Sequence, residues 1–262
     1  MSLSVFHVDA FTKVRFSGNP AAVCPLTHWL DDELLRAVAA ENNLSETAYF
    51  VPQGDSYELR WFTPRCEVKL CGHATLASAF VVMQILAPGR DWVHFRTRSS
   101  GELSVYRDGD LLAMRFPALV PWTCIDEPTA LMEGLGRKPA SLLQIEDNYF
   151  AVYESEEEVR RITPDFRLLE KLHPAGVAIT APGTNCDFVS RYFAPSYGIP
   201  EDPVTGSTHC SLAPYWAERL GQKSLQARQV SERGGELWCE VGANRVILKG
   251  NAVLTLQGGL LI

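Results

Sequence analysis

No run of more than two adjacent Lys or Arg occurs in the chain, and its formal net charge is −7. A nucleic-acid partner or an anionic membrane surface therefore has little to hold. The seven cysteines, at 24, 66, 71, 124, 186, 210 and 239, are odd in number, scattered, and never spaced as CxxC. That argues for reduced thiols in a cytoplasm, and against a disulfide framework or a zinc ribbon. There is no basic stretch followed by an apolar leader, and no apolar run of membrane-spanning length. GxGxxG, GxxxxGK[ST] and GxSxG are all missing, so dinucleotide, nucleotide-phosphate and nucleophile-elbow sites lack support. Low-complexity and linker-like segments are missing too. What remains is a 262-residue chain, 46% hydrophobic and 21% charged, that suits one large domain or two lobes.

The most informative stretch present is Cys71-Gly72-His73-Ala74-Thr75. It follows a strand-like run at 57–63 and a turn, and opens an apolar segment, 74–86, long enough for a three-turn helix. A glycine there lets backbone approach a ligand, and the first N–H groups of a helix form a positive pole for an anion. His73 sits at the mouth of that helix, able to donate a hydrogen bond or titrate. The stretch has a second copy. At an offset of 134, Gly72 pairs with Gly206, His73 with Ser207, Thr75 with His209, Gly101 with Gly235 and Glu102 with Glu236. Upstream the offset is 131, pairing Tyr57 with Phe188, Arg60 with Arg191 and Phe62 with Phe193, so three residues are inserted within 196–203. A period this long means two related lobes rather than a solenoid. We expect lobes at 1–117 and 118–262, with two glycine-opened helices aimed at a shared cleft.

In chain order, 3–11 alternates as a strand, Ser17-Gly18-Asn19-Pro20 is a turn, and 21–24 is a short strand. Asp31, Asp32 and Glu33 start a helix to about Asn42, with Leu34, Leu35, Val38 and Ala39 as its core face. Glu46 then lies in a run otherwise uncharged from Asn42 to Gln53. Such a glutamate either turns to water or stays inside for a purpose; buried, its acidity falls toward the range of a general acid/base. Strands follow at 92–98, 102–107 and 111–116, and 117–128 reads as an irregular crossing between lobes. The second lobe repeats the pattern, with a helix at 205–220. Each lobe reads as a mainly antiparallel sheet around one central helix, an α+β fold. His7, His28, His94 and His173 have no companion motif and read as structural or exposed. Cys71 and His73 supply two possible metal ligands but no third, so no metal is expected. Cys71 beside His73 also invites a thiolate-nucleophile reading, although residues two apart at a helix start should project differently.

The ordered set Asp9-Ala10-Phe11-Thr12, Gly18-Asn19-Pro20, Asn43-Leu44-Ser45-Glu46-Thr47, Phe62-Thr63-Pro64, Gly72-His73-Ala74-Thr75 and Glu201-Asp202-Pro203-Val204-Thr205-Gly206-Ser207 resembles the PhzF family of phenazine-biosynthesis-like proteins. The resemblance runs nearly end to end and implies the diaminopimelate epimerase-like fold, two pseudo-symmetric lobes each with a barrel-like sheet around a helix. It maps the acid/base glutamate onto Glu46 and assisting groups onto His73, Asp202 and Ser207, with Asn19, Gly72 and Gly206 binding substrate. It further implies a small carboxylated, cyclic substrate, no metal or organic cofactor, and a homodimer. Racemases of this fold use one cysteine per lobe. Here the first lobe has Cys71, but Cys210 lies beyond the second helix start. The resemblance therefore favours isomerisation by one acid/base over a two-thiol inversion, with a non-catalytic metabolite-binding homologue as a further alternative.

Overall fold

The structure, a computed structural model, describes residues 2–146, 148–172 and 176–262. The chain forms two compact units, Met1–Arg115 together with Lys249–Ile262, and Phe116–Leu248. A division at 117 thus lies close to the first boundary, while the chain's closing strand rejoins the first unit.

The first unit contains β1 (Ser2–Ala10), β2 (Asn19–Pro25), α1 (Asp32–Asn42), β3 (Glu46–Gln53), β4 (Ser56–Phe62), β5 (Glu67–Val68), α2 (Gly72–Val81), β6 (Trp92–Thr97), β7 (Glu102–Asp108) and β8 (Leu111–Pro117). β1–β2 is antiparallel, β2–β3 parallel, β3–β4 antiparallel, β4–β6 parallel and β6–β7 antiparallel. Parallel neighbours need a crossover, and α1 and α2 supply the two required here. Eight of the ten residues of α2 are buried, so it is apolar all round and acts as core. Its hydroxyls are satisfied inside the helix, Thr75 Oγ1 donating to the Cys71 carbonyl at 2.6 Å and Ser78 Oγ to that of Ala74 at 2.7 Å. The helix then widens into a π-turn over Val82–Leu86, within the expected helical stretch. On the opposite face, Leu35, Val38 and Ala39 of α1 pack with Leu3, Ala22, Tyr49 and Phe62, whereas Leu34 is only partly buried.

The second unit runs β9 (Trp122–Thr123), α3 (Thr129–Leu135), β10 (Ser141–Ile145), β11 (Asn148–Val152), α4 (Glu156–Arg161), α5 (Phe166–Leu169), β12 (Gly176–Pro182), β13 (Phe188–Ala194), β14 (Ile199–Asp202), α6 (Gly206–Leu220), β15 (Ser224–Gln229), β16 (Gly235–Val241) and most of β17 (Arg245–Gly250), whose last two residues fall in the first unit. From β10 its pairings are antiparallel, parallel, antiparallel, parallel and antiparallel, the same series as in the first unit. α6 tolerates Pro214 because the carbonyl that this proline cannot serve, that of Cys210, accepts from the Leu119 N–H at 3.0 Å. Besides the two-residue strands β5 and β9, two elements go unread in the sequence. α3 has only seven residues and no acidic first turn, ending on Gly136 at φ 64°. β14 carries Pro200 and Gly198 precedes it, a composition that reads as loop, yet a short edge strand accepts a proline.

β18 (Ala252–Leu261) lies antiparallel to β1, from Ala10↔Ala252 to Ser2↔Leu261, inside the first unit. It is longer than the strand read at 253–256. Of the unassigned histidines, His28 and His94 are exposed and His7 is half-buried, while His173 lies outside the described residues.

Candidate active site

In the first unit three separated segments converge. Gly18 takes φ 68°, and a Cβ there would sit 2.2 Å from the Ala10 carbonyl oxygen, so this turn requires glycine. The turn delivers Asn19 to the start of β2, where it is wholly buried. Parallel pairing of β2 with β3 sets Ala21 beside Glu46, the first residue of β3. The Glu46 side chain is 13% exposed, turned inward, and its Oε2 lies 3.3 Å from Nε2 of His73, the second residue of α2. Burial pushes the His73 pKa down to about 3, against the opposing hydrogen bond to the Pro20 backbone, so the imidazole is neutral near pH 7. The contact is therefore between a carboxyl group and a neutral ring, not an ion pair.

Cys71 corrects the sequence expectation about its direction. Its Sγ lies 3.5 Å from His73 Nδ1, because Cys71 is the extended N-cap of α2 (φ −144°) and its side chain folds over the ring. Glu46, Cys71 and His73 thus form a carboxylate–thiol–imidazole group whose donor atoms lie within 4.8 Å of one another. Glu46 is the third metal-type donor that spacing alone did not supply. The carboxyl lies nearest the Nε2 side of the ring and the thiol nearest Nδ1.

In the second unit, β14 ends at Asp202 and α6 begins at Gly206. Ser207, the repeat counterpart of His73, is exposed at the second position of α6. Thr205, the counterpart of Cys71, is the extended N-cap, and its Oγ1 donates to Asp202 Oδ2 at 2.5 Å. His209 Nδ1 lies 2.8 Å from the Thr205 carbonyl, repeating the bond that Thr75 makes to Cys71. Burial lowers the His209 pKa to about 4, so it too is neutral. Cys210 is buried, its Sγ 4.0 Å from the Gly206 carbonyl and its pKa pushed up to about 12 by desolvation. It is an inert core thiol.

The sequence reading gave no role to Thr205, Gln229 or two part-buried Arg–Glu forks. Arg60 holds Glu67 through Nε and Nη2, both at 2.7 Å, with its guanidinium 4.9 Å from the Phe62 ring centre. Arg191 holds Glu201 at 2.8 and 2.9 Å, 5.0 Å from the Phe193 ring. A signal for these forks was present, since Glu67 and Glu201 are also separated by 134.

Two like-built α+β units, one with a buried carboxyl–imidazole contact and one with an aspartate tied to a helix cap, define a protein of the diaminopimelate epimerase-like fold class. Comparison narrows this. The family model for phenazine biosynthesis-like proteins, PhzC–PhzF, matches residues 8–258. An uncharacterized isomerase of Pseudomonas aeruginosa is 52% identical over 260 residues, covering 99% of both chains. The crystal structure of a PhzF-family phenazine biosynthesis protein from Enterococcus faecalis superposes with a TM-score of 0.95 at 45% identity, covering 100% of both. A predicted epimerase from Pseudomonas aeruginosa, at 21% identity and TM-score 0.72, shares the fold over 99% of each chain. The chain belongs to the PhzC–PhzF family of phenazine biosynthesis-like proteins.

Proposed function

We propose that this chain is an isomerase that needs no cofactor and moves a proton within a small carboxylated, cyclic metabolite, with Glu46 as the acid/base. The observation that carries this reading is the Glu46 carboxyl, 13% exposed and 3.3 Å from the neutral His73 ring. A carboxylate so placed removes a proton from a substrate carbon; the C–H electron pair becomes a new double bond as the old one shifts. The same carboxyl then returns the proton to a different carbon. His73 shares hydrogen-bond load with Glu46 as its charge changes, and remains neutral itself. Gly72 and Gly206 open α2 and α6, and neither N-cap side chain covers the first-turn N–H groups. Each helix start by itself suits a substrate carboxylate, and α6 adds the exposed Ser207 hydroxyl, since fixed dipoles need no reorganisation as charge develops. Asn19 and Asp202 hold the remaining polar substrate groups. Family resemblance extends the proposal to a cytoplasmic homodimer.

A second reading has one observation in its favour, the Cys71 thiol against His73 at 3.5 Å. A two-base epimerase would use that thiol, but the counterpart of Cys71 is Thr205, and Cys210 is an inert core thiol. Incubating cyclic and amino-substituted carboxylic acids with the protein in deuterated water separates the readings. A shuttle that returns the substrate's own proton gives a new isomer with little deuterium. Inversion by two bases gives a fully deuterated product of the same connectivity, and that result would overturn the single-carboxylate mechanism. Ligand binding with neither product nor exchange would favour a non-catalytic homologue.

A further inference from the structure

The second-unit cluster carries a chain of hydrogen bonds whose direction is fixed. The backbone N–H of Thr205 can only donate, and it reaches Gln229 Oε1 at 2.9 Å. That identifies the oxygen end of the Gln229 amide, so the other end is the NH2 group, which can only donate. Its two hydrogens go to the Asp202 backbone carbonyl at 2.7 Å and to Thr205 Oγ1 at 3.2 Å. With a lone pair of Thr205 Oγ1 occupied, its own hydrogen points along the bond to Asp202 Oδ2. Oδ2 is therefore an acceptor. Gln229 and Thr205 are buried, at 1% and 8% exposure, so solvent offers these two few alternative partners, while Asp202 is half-buried. His209 Nδ1 on the Thr205 carbonyl, and Ser231 Oγ donating to the Pro203 carbonyl at 2.7 Å, tie down the rest of the turn.

We infer that Thr205 and Gln229 are positioning residues that hold Asp202 as an ionised hydrogen-bond acceptor. Within the proposed isomerase reading, on which this role rests, Asp202 orients a donor group or balances positive charge, and does not deliver protons. That leaves Glu46 as the sole carboxyl acid, which makes the two acidic residues different in task. The physical cause is directional: a donor aimed at a carboxylate favours the charged form over the neutral one. Other titratable side chains packed round this turn are Tyr192, opposite Asp202 in the β13–β14 pairing, Tyr197, His209 and Glu201. Burial raises Tyr192 and lowers His209, so both stay neutral as Asp202 titrates, and Glu201 is held by Arg191.

The test follows the carboxyl carbon of Asp202 by NMR across pH in the full chain labelled at aspartate. Three variants are compared with wild type, Thr205→Ser, Thr205→Val and Gln229→Glu. Thr205→Ser keeps the hydroxyl, and its midpoint should stay with wild type. Thr205→Val removes the donor at equal volume, and should raise the proton affinity of Asp202 by about tenfold or more, one pH unit in the midpoint. Gln229→Glu replaces the donor to Oγ1 with an acceptor that competes for the Thr205 hydrogen, and should shift the midpoint the same way. It serves where Thr205→Val fails to fold. Equal midpoints in wild type and both disrupting variants, or a wild-type Asp202 still protonated at pH 7, would overturn the assignment. Failure to find any isomerised acid would sink the proposed activity but leave these midpoints where they are.

Discussion

Glu46 is the residue whose direction the sequence leaves open and the structure supplies. A lone charge in an uncharged run is conspicuous in the sequence, and the structure turns it inward onto His73. Cys71 was harder to read. Its side-chain direction depends on the extended cap torsions of one residue, which spacing does not encode. Ser207 shows the opposite limit: its repeat position matches His73, but it is exposed where His73 is buried. Glu46→Gln keeps the shape and removes the exchangeable acid, so turnover on an identified substrate should drop roughly 10²–10⁴-fold. Cys71→Ser retains a donor toward His73 Nδ1 and should cost far less in the same assay. The reverse order of effects would transfer the proton chemistry to the thiol.

Helices of ten residues or more, α1, α2 and α6, were legible, α1 by its periodicity and α2 and α6 by their glycine-opened repeat. α3 and β14 were not, being seven and four residues long, and β14 is the strand that carries Asp202. What holds so short a strand is the Arg191–Glu201 fork, helped by Arg191 Nη1 donating to the Val159 and Ile162 carbonyls at 3.1 and 2.7 Å. Arg191 and Glu201 side chains are 12% and 21% exposed, so removing one partner strands the other in a poor solvent. Arg191→Met should destabilise the protein by about 3–5 kcal/mol, measured by urea unfolding. Pairing it with Glu201→Leu should recover part of that loss, since the stranded carboxylate is gone while two carbonyls stay unserved. A double variant no better than the single would show that the carbonyl bonds, rather than the ion pair, anchor β14.

For the whole molecule, the duplication was the strongest sequence signal, and the two units do repeat one series of strand pairings. The repeat could not reveal where the closing strand goes, because that pairing spans almost the full chain. A pH effect belongs to this scale. His73 and His209 have pKa values lowered to about 3 and 4 by burial, while an unfolded histidine titrates near 6.5. Between those limits the unfolded chain binds more protons than the folded one, so stability is full above pH 6.5 and falls as pH drops through the window. The slope should approach about 1.4 kcal/mol per pH unit for each histidine. His209→Thr, which restores the hydroxyl-to-carbonyl bond made by Thr75, should roughly halve the slope in denaturant titrations from pH 6.5 to 5. An unchanged slope would mean that His209 takes up its proton as readily in the folded state as in the unfolded one.

The pairing of β1 with β18 also sets a timetable for the newborn chain. In the first unit's sheet, β1 leaves the ribosome before the second unit is made and its partner β18 leaves after it. At about 5–20 residues per second, synthesis of the second unit keeps β1 without that neighbour for roughly 7–27 s. The second unit, drawn from one continuous segment, can settle while this edge waits. An open strand edge is what chaperones bind and what aggregates recruit, so β1 is the strand that most needs shielding while the second unit is made.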